Sequence, residues 1–254
     1  MTNIPERIKI IGHRGAAGLA PENTLAAIKT AIEMSLDYVE IDVRLTKDGE
    51  LVVIHDSTLK RTTGIKKSRV HQLSLKEIKN LDAGSWFDPS FSEEKIPTLD
   101  EVLNLLNGKT GLMLEIKHSE EPPHVIADAV FRVLKRVTTP LPPLFIGSFS
   151  LPIINEVKKR AATFFHPIKL IGIVEKHAML LEFIELGIDN MAVWHKIISP
   201  GEIQRLQHHR IPAWAFTVND PVLALFLFSL GVSGIISNFP DRLLRLKTYI
   251  PASS

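Results

Sequence analysis

Residues 8–43 read IKIIGHRGAAGLAPENTLAAIKTAIEMSLDYVEIDV. Two apolar, β-branched runs, Ile8–Ile11 and Tyr38–Val43, flank an amphipathic stretch, Thr24–Met34, that opens on residues of the helix-capping type. This is a strand, a helix and a second strand, and the same alternation continues outward. Strand-like runs recur at Leu112–Ile116, Leu144–Ser148, Leu170–Val174, Asn190–Val193, Ala213–Val218 and Gly234–Ser237. Helical stretches lie at Leu99–Leu106, Pro123–Arg136, Pro152–Arg160, Ala178–Leu186, Pro200–His208 and Pro221–Ser229, each starting near a cap residue or a proline. Eight strand-to-helix steps predict an α/β chain of the parallel (β/α)8 barrel type. The alternative, a doubly wound sheet, usually has fewer strands and a glycine-rich first turn of another kind.

One segment breaks the rhythm. Leu51–His55 is strand-like, yet only Lys47-Asp48-Gly49-Glu50 separates it from the second strand, too few residues for a parallel crossover. Asp-Gly favours a two-residue hairpin turn, and pairing Lys47 with Glu50 predicts that Asp42 lies opposite His55. Beyond the hairpin, Ser57–Pro97 is rich in Lys, Ser, Thr and Gly, and Trp86 and Phe87 are expected to give it a small core. The expected organisation is one domain over residues 1–254 with an insertion at about 51–97 on top of the barrel.

The 254 residues carry 30 Lys and Arg against 28 Asp and Glu, a charge of +2 too small to predict a nucleic-acid partner. There is no cysteine, which excludes disulfides, thiol nucleophiles and thiolate zinc sites. MTNIPERIKI shows neither a secretory signal nor an anchor, so the expected compartment is the cytoplasm. The apolar run Val222–Leu230 is far short of the ~20 residues of a membrane span and reads as a core helix.

In a barrel of this kind chemistry gathers at the C-terminal ends of the strands. There the first strand ends in Gly12-His13-Arg14-Gly15, the second carries Glu40 and Asp42, the hairpin strand ends in His55-Asp56, and a later strand offers Glu115 with Lys117. Residues two apart on a strand share a face, so Glu40, Asp42 and Glu115 can converge. Three carboxylates in one mouth repel unless a cation neutralises them, and an all-oxygen set suits Mg²⁺ or Ca²⁺. The competing reading is that each acid pairs with a neighbour such as Arg44 or Lys117. His13 and His55 can exchange protons near neutrality, one accepting from an attacking hydroxyl and the other donating to a leaving alkoxide. Arg14 and Lys117 suit phosphate oxygens. Asn23 or Thr24 reads as a helix cap, and Glu22 could orient His13 or Arg14.

These residues sit in IGHRGAAGLAPENTLAAI, YVEIDVRLTKDGELVVIHDSTLKRTTG, LSLKEIKNLDAGSWF, IPTLDEVL, LEIK, GSF, FTVND and GIISNFPDRL. In that order they resemble the glycerophosphodiester phosphodiesterase family over most of the chain. The resemblance implies a metal-dependent TIM-barrel hydrolase acting on a small-molecule glycerophosphodiester, with His13 and His55 as the acid/base pair. It also implies metal ligands at Glu40, Asp42 and Glu115, and phosphate-binding groups at Arg14 and Lys117. Phe216 stands where many relatives have Trp, and Asn238 where many have Asp. Both are expected at the rim, where they would alter substrate fit. Two alternatives accompany the reading. One is a lysophospholipase D-type enzyme, with the basic run Lys60–Arg69 touching an anionic membrane; the other is a non-catalytic glycerophosphate-binding protein.

Overall fold

The computed structural model describes residues 8–249; the start of the chain, on which the expectation of no leader rests, lies outside the described residues. Nine strands form one sheet: β1 Lys9–Gly12, β2 Tyr38–Leu45, β3 Leu51–Val53, β4 Gly111–Ile116, β5 Leu144–Ser148, β6 Ile168–Val174, β7 Asn190–Trp194, β8 Ala213–Phe216 and β9 Gly234–Ser237. The order β1-β9-β8-β7-β6-β5-β4-β2, with β1 also paired to β2, closes eight parallel strands into a barrel. Helices run between successive barrel strands, as in Leu25–Glu33 and Pro123–Arg136. The protein is a TIM barrel.

Alternation along each strand sorts the side chains into two layers. Ile11, Met113, Phe145, Ile171, Ile173, Ala192, Trp214 and Ile236 fill the barrel's interior. The other face of the strands packs under the helices, through residues such as Ile10, Val39, Ile41, Leu112 and Leu114. Because Ile11 and Met113 face inward, so do His13, Glu115 and Lys117, the next inward positions toward the C-terminal ends. Helix Pro221–Ser229 departs from the core-helix expectation. Ala224, Leu227 and Phe228 face the barrel, while Val222 and Phe226 are 73% and 56% exposed. Among the described residues no helix is long and apolar enough to cross a membrane.

β3 is antiparallel to β2, as expected, but in a different register. Val43 pairs with Val53, Arg44 with Val52 and Leu45 with Leu51. Thr46 N–H then donates to the Glu50 carbonyl at 2.9 Å, which leaves a three-residue loop, Lys47-Asp48-Gly49. Asp48 is held inside this loop by the Thr46 hydroxyl at 2.5 Å, and Gly49, with φ of 77°, supplies the left-handed residue that a three-residue hairpin needs. The one-residue shift places Ile54, not His55, opposite Asp42, with Ile54 N–H donating to the Asp42 carbonyl at 2.9 Å.

Between β3 and β4 a satellite cluster gathers Val52, Ile54, Leu59, Val70, Ile78, Ala83 and Ile96. The aliphatic residues make this core. Trp86 is 40% exposed and stacks edge-on with Phe87 outside it, so the aromatic core expected there does not form.

Candidate active site

The barrel mouth is a cavity of about 370 Å³ whose lining includes His13, Arg14, Glu40, His55, Glu115, Lys117 and Phe216. Every residue singled out as a catalytic or phosphate-binding candidate therefore reaches one space. Asp42 lies just beneath it, 1% exposed. Its neighbour is set by strand register: in the β2–β4 ladder Asp42 pairs directly with Glu115.

Arg14 and Gly15 leave β1 in left-handed turns, with φ of 52° and 89°. The bend aims Arg14 N–H at Glu40 Oε2, 2.8 Å away, and Gly15 N–H at the Glu40 carbonyl, 3.1 Å away. A Cβ at Gly15 would stand 2.6 Å from the Ala27 carbonyl carbon, so this turn requires glycine. The Arg14 side chain reaches Glu22 Oε1 at 2.8 Å and Asp42 Oδ2 at 3.3 Å. Glu22 thus orients Arg14 and not His13. Lys117 Nζ lies 2.8 Å from Asp42 Oδ1 and also contacts Glu115.

Each histidine is held through Nδ1. His13 Nδ1 is 2.6 Å from Asn238 Oδ1, and His55 Nδ1 is 2.8 Å from Asp56 Oδ1. Both partners are acceptors, so Nδ1 carries the proton and Nε2 is left free; His13 Nε2 stands 3.9 Å from Glu40 Oε2. The register shift alone would turn His55 away from Asp42. The chain instead leaves the ladder after Val53, and Arg44 Nε clamps the His55 carbonyl at 2.7 Å. Arg44 therefore serves the backbone of His55, not the carboxylates it might have paired with.

Comparison with known proteins bears on this constellation directly. Residues 13–242 match the model of the glycerophosphoryl diester phosphodiesterase family. The chain belongs to that family. Among similar members, a glycerophosphodiester phosphodiesterase of Caldanaerobacter subterraneus subsp. tengcongensis is 35% identical over 93% of this chain and 96% of its own. One from Bacillus subtilis is 29% identical over 96% of this chain and 87% of its own. Among solved structures, an Oleispira antarctica phosphodiesterase in complex with the product sn-glycerol-3-phosphate superposes with a TM-score of 0.87 at 31% identity, covering 93% of this chain and 95% of that one. The expected class, a phosphoric diester hydrolase, stands with the family.

In this family member the donor set fits a hard divalent cation. One oxygen from each of Glu40, Asp42 and Glu115 lies within 4.8 Å of the others, and all three residues are buried. Glu40 Oε1 is buried without a hydrogen-bond partner. Burial, reinforced by the Asp42 charge, pushes the Glu40 carboxyl well above its ordinary range and Glu115 up to about 7. Burial opposes the Asp42 carboxylate as well, but Lys117 and Arg14 outweigh it and hold Asp42 well below its ordinary range. Buried carboxyls in this state want either protons or a cation. Burial and then Arg14 push His13 down to about 4; burial lowers His55 too, with Asp42 partly offsetting it.

Four residues of the site have roles that the sequence pattern does not assign. Asn23 is not the helix cap: Thr24 is, accepting from Ala27 N–H. Asn23, 3% exposed, donates instead to Asp42 Oδ2 at 2.8 Å. Asn238, half-buried just past the C-terminal end of β9, holds the His13 ring, a role beyond the substrate fit expected of it. Asp56 is visible in the sequence only as the neighbour of His55, and Arg61 only as part of a basic run. The LKRTTG text containing Arg61 is a signal, since it extends the His55-Asp56 motif without interruption.

Proposed function

We propose that the whole chain acts as one catalytic unit, with residues 51–97 as an insertion, and hydrolyses glycerophosphodiesters such as glycerophosphocholine or glycerophosphoethanolamine to sn-glycerol 3-phosphate and a free alcohol. The observation that carries this reading is the meeting in one mouth of two oriented imidazoles, three buried carboxyl groups and two cationic side chains. Glu40, Asp42 and Glu115 would hold Mg²⁺ or Ca²⁺, which when bound withdraws charge from a phosphoryl oxygen. Arg14 and Lys117 face the same oxygens and stabilise the charge that grows on them. His55 takes the proton of the attacking hydroxyl, because Asp56 behind its Nδ1 stabilises the imidazolium that results. His13 gives a proton to the leaving alkoxide once the negative substrate beside it offsets burial and Arg14.

The same geometry serves water or the substrate's own glycerol hydroxyl as nucleophile; a cyclic phosphate seen by ³¹P NMR during turnover identifies the second. Release of glycerol 3-phosphate from a panel of glycerophosphodiesters, and of the head-group alcohol from a lysophospholipid, with and without chelator, tests the reading. No release from any of them with Mg²⁺ or Ca²⁺ present leaves the non-catalytic binding protein as the better account.

A further inference from the structure

The segment between β3 and β4 sends one charged side chain back toward the mouth. Arg61, in the short helix Lys60–Thr63, makes four hydrogen bonds to two carboxylates. Its Nη1 and Nη2 donate to Glu22 Oε2 and Oε1 at 2.6 and 2.8 Å. Its Nε and Nη2 donate to Asp56 Oδ2 and Oδ1 at 2.8 and 3.0 Å. Glu22 is in turn held by Arg14 at 2.8 Å, and Asp56 by His55 at 2.8 Å. The result is an unbroken chain of hydrogen bonds, His55–Asp56–Arg61–Glu22–Arg14, joining a proton-transfer group of the mouth to a phosphate-binding group of the mouth.

We infer that Arg61 is a positioning residue, fixing the His55 ring through Asp56 and the Arg14 guanidinium through Glu22 in a single bidentate-by-bidentate clamp; this rests on the function proposed above. Ordinary surface ion pairs contribute little, but a planar fork matched on two edges is the geometry in which such pairs do orient their partners. Without Arg61 the Asp56 carboxylate keeps His55 as a partner but loses the two bonds that fix its plane, so the imidazole is free to tilt. Glu22, with a side chain only 11% exposed, keeps one cation instead of two, and Arg14 loses the rigidity of its anchor. A lysine cannot replace the clamp, because one ammonium has no second edge to present to a second carboxylate. Within the basic run Lys60–Arg69, Arg61 thereby acquires a role directed at the mouth.

The test uses the full-length protein with Mg²⁺ or Ca²⁺ present, comparing wild type with Arg61→Met, Arg61→Lys and Arg61→Ala. Arg61→Met is expected to lower kcat by about 10- to 100-fold, the usual cost of losing an orienting partner, with a much smaller change in KM. Arg61→Lys should recover little of that loss, whereas guanidinium added to Arg61→Ala should restore much of it. The double variant Arg61→Met with Asp56→Asn should lose less than the product of the two singles, because both act on His55 through Asp56. A second readout does not need turnover: ¹H–¹⁵N NMR of the His55 ring should show a downfield, slowly exchanging Nδ1–H in wild type and an upfield-shifted, faster-exchanging one in Arg61→Met. Should wild type turn over no diester, the function proposed above falls, while the ring spectra still decide the clamp. A folded Arg61→Met with kcat within twofold of wild type, or full recovery in Arg61→Lys, overturns the inference. If Arg61→Met does not fold, guanidinium rescue of Arg61→Ala and the Arg61→Lys rate decide it by the same criteria.

Discussion

Removing the cation should make this protein lose stability as the pH rises, and the loss can be worked from Glu115. Burial, then the Asp42 charge, raise its carboxyl from 4.5 to about 7 in the folded chain. A carboxyl whose folded value is raised contributes its stability below the unfolded value, and that stability is lost as the pH rises through the folded value. The window is therefore about 4.5 to 7, and the loss across it is about 3 kcal/mol, at about 1.4 kcal/mol for each tenfold difference in proton affinity between folded and unfolded chain. For a chain of this size that is roughly 6–12 °C in melting temperature. Glu40 adds to the loss, since it too is raised. Asp42 is held below its ordinary range, so its contribution changes below the window. A cation bound by the three carboxylates displaces the protons, so its apparent affinity should fall below pH 7 and level above it. At a hundred times its dissociation constant it returns about 2.7 kcal/mol. Thermal melts from pH 4.5 to 8.5, in chelator and in Mg²⁺ or Ca²⁺, measure both effects. Glu115→Gln serves as the variant that cannot titrate. The chelated curve should fall with pH more steeply than that of Glu115→Gln, and the cation should lift wild type most above pH 7. Superposed curves with and without cation across the whole range would refute the argument that these carboxyls form a cation site.

Further outcomes follow from individual contacts. His13→Ala and His55→Ala should each fold and lose at least ~10²-fold in kcat, the lower end of what acid–base groups supply; near-normal turnover removes that residue from the mechanism. Asn23→Ala removes a buried amide bonded to Asp42 and should weaken cation binding by about 10- to 100-fold, read by calorimetric titration, with an unchanged isotherm counting against it. Gly49 has φ of 77° and open space where a side chain would go, so Gly49→Val should cost about 1–2 kcal/mol of backbone strain in urea unfolding, while Gly49→Asn, which tolerates that conformation, should cost much less. Because His55 is held by Arg44 and Asp56 and not by the turn, activity per folded molecule should survive Gly49→Val; equal stability of the two variants contradicts the turn assignment.

The barrel and most of the groups gathered in its mouth were legible in the sequence because both are written in short-range patterns. Strand alternation, cap residues and helix-starting prolines act over a few neighbours, so the eight barrel strands could be read one at a time. The polar residues ending β1, β2 and β4 then had to point into the mouth, since the apolar residues two positions earlier point into the barrel. The hairpin went the other way. Its antiparallel sense followed from the short connection, but its register turned on Thr46 bonding Asp48 and Glu50, and a single residue of slip changes which side chains face each other.

What only the tertiary structure decided is how the functional groups are held. Asn23 bonds Asp42 across 19 residues, Arg61 bonds Glu22 across 39, and Asn238 bonds His13 across 225. The last of these exists because closing the barrel places β9 beside β1. No local pattern distinguishes Arg61 from Lys60 beside it, or a capping asparagine from one that braces a carboxylate. An amide or guanidinium takes whichever acceptor the fold brings within hydrogen-bonding distance, and that distance is set by closure of the sheet. The sequence by itself determined which chemistry the mouth contains; the folded barrel determined the orientation of each group in it.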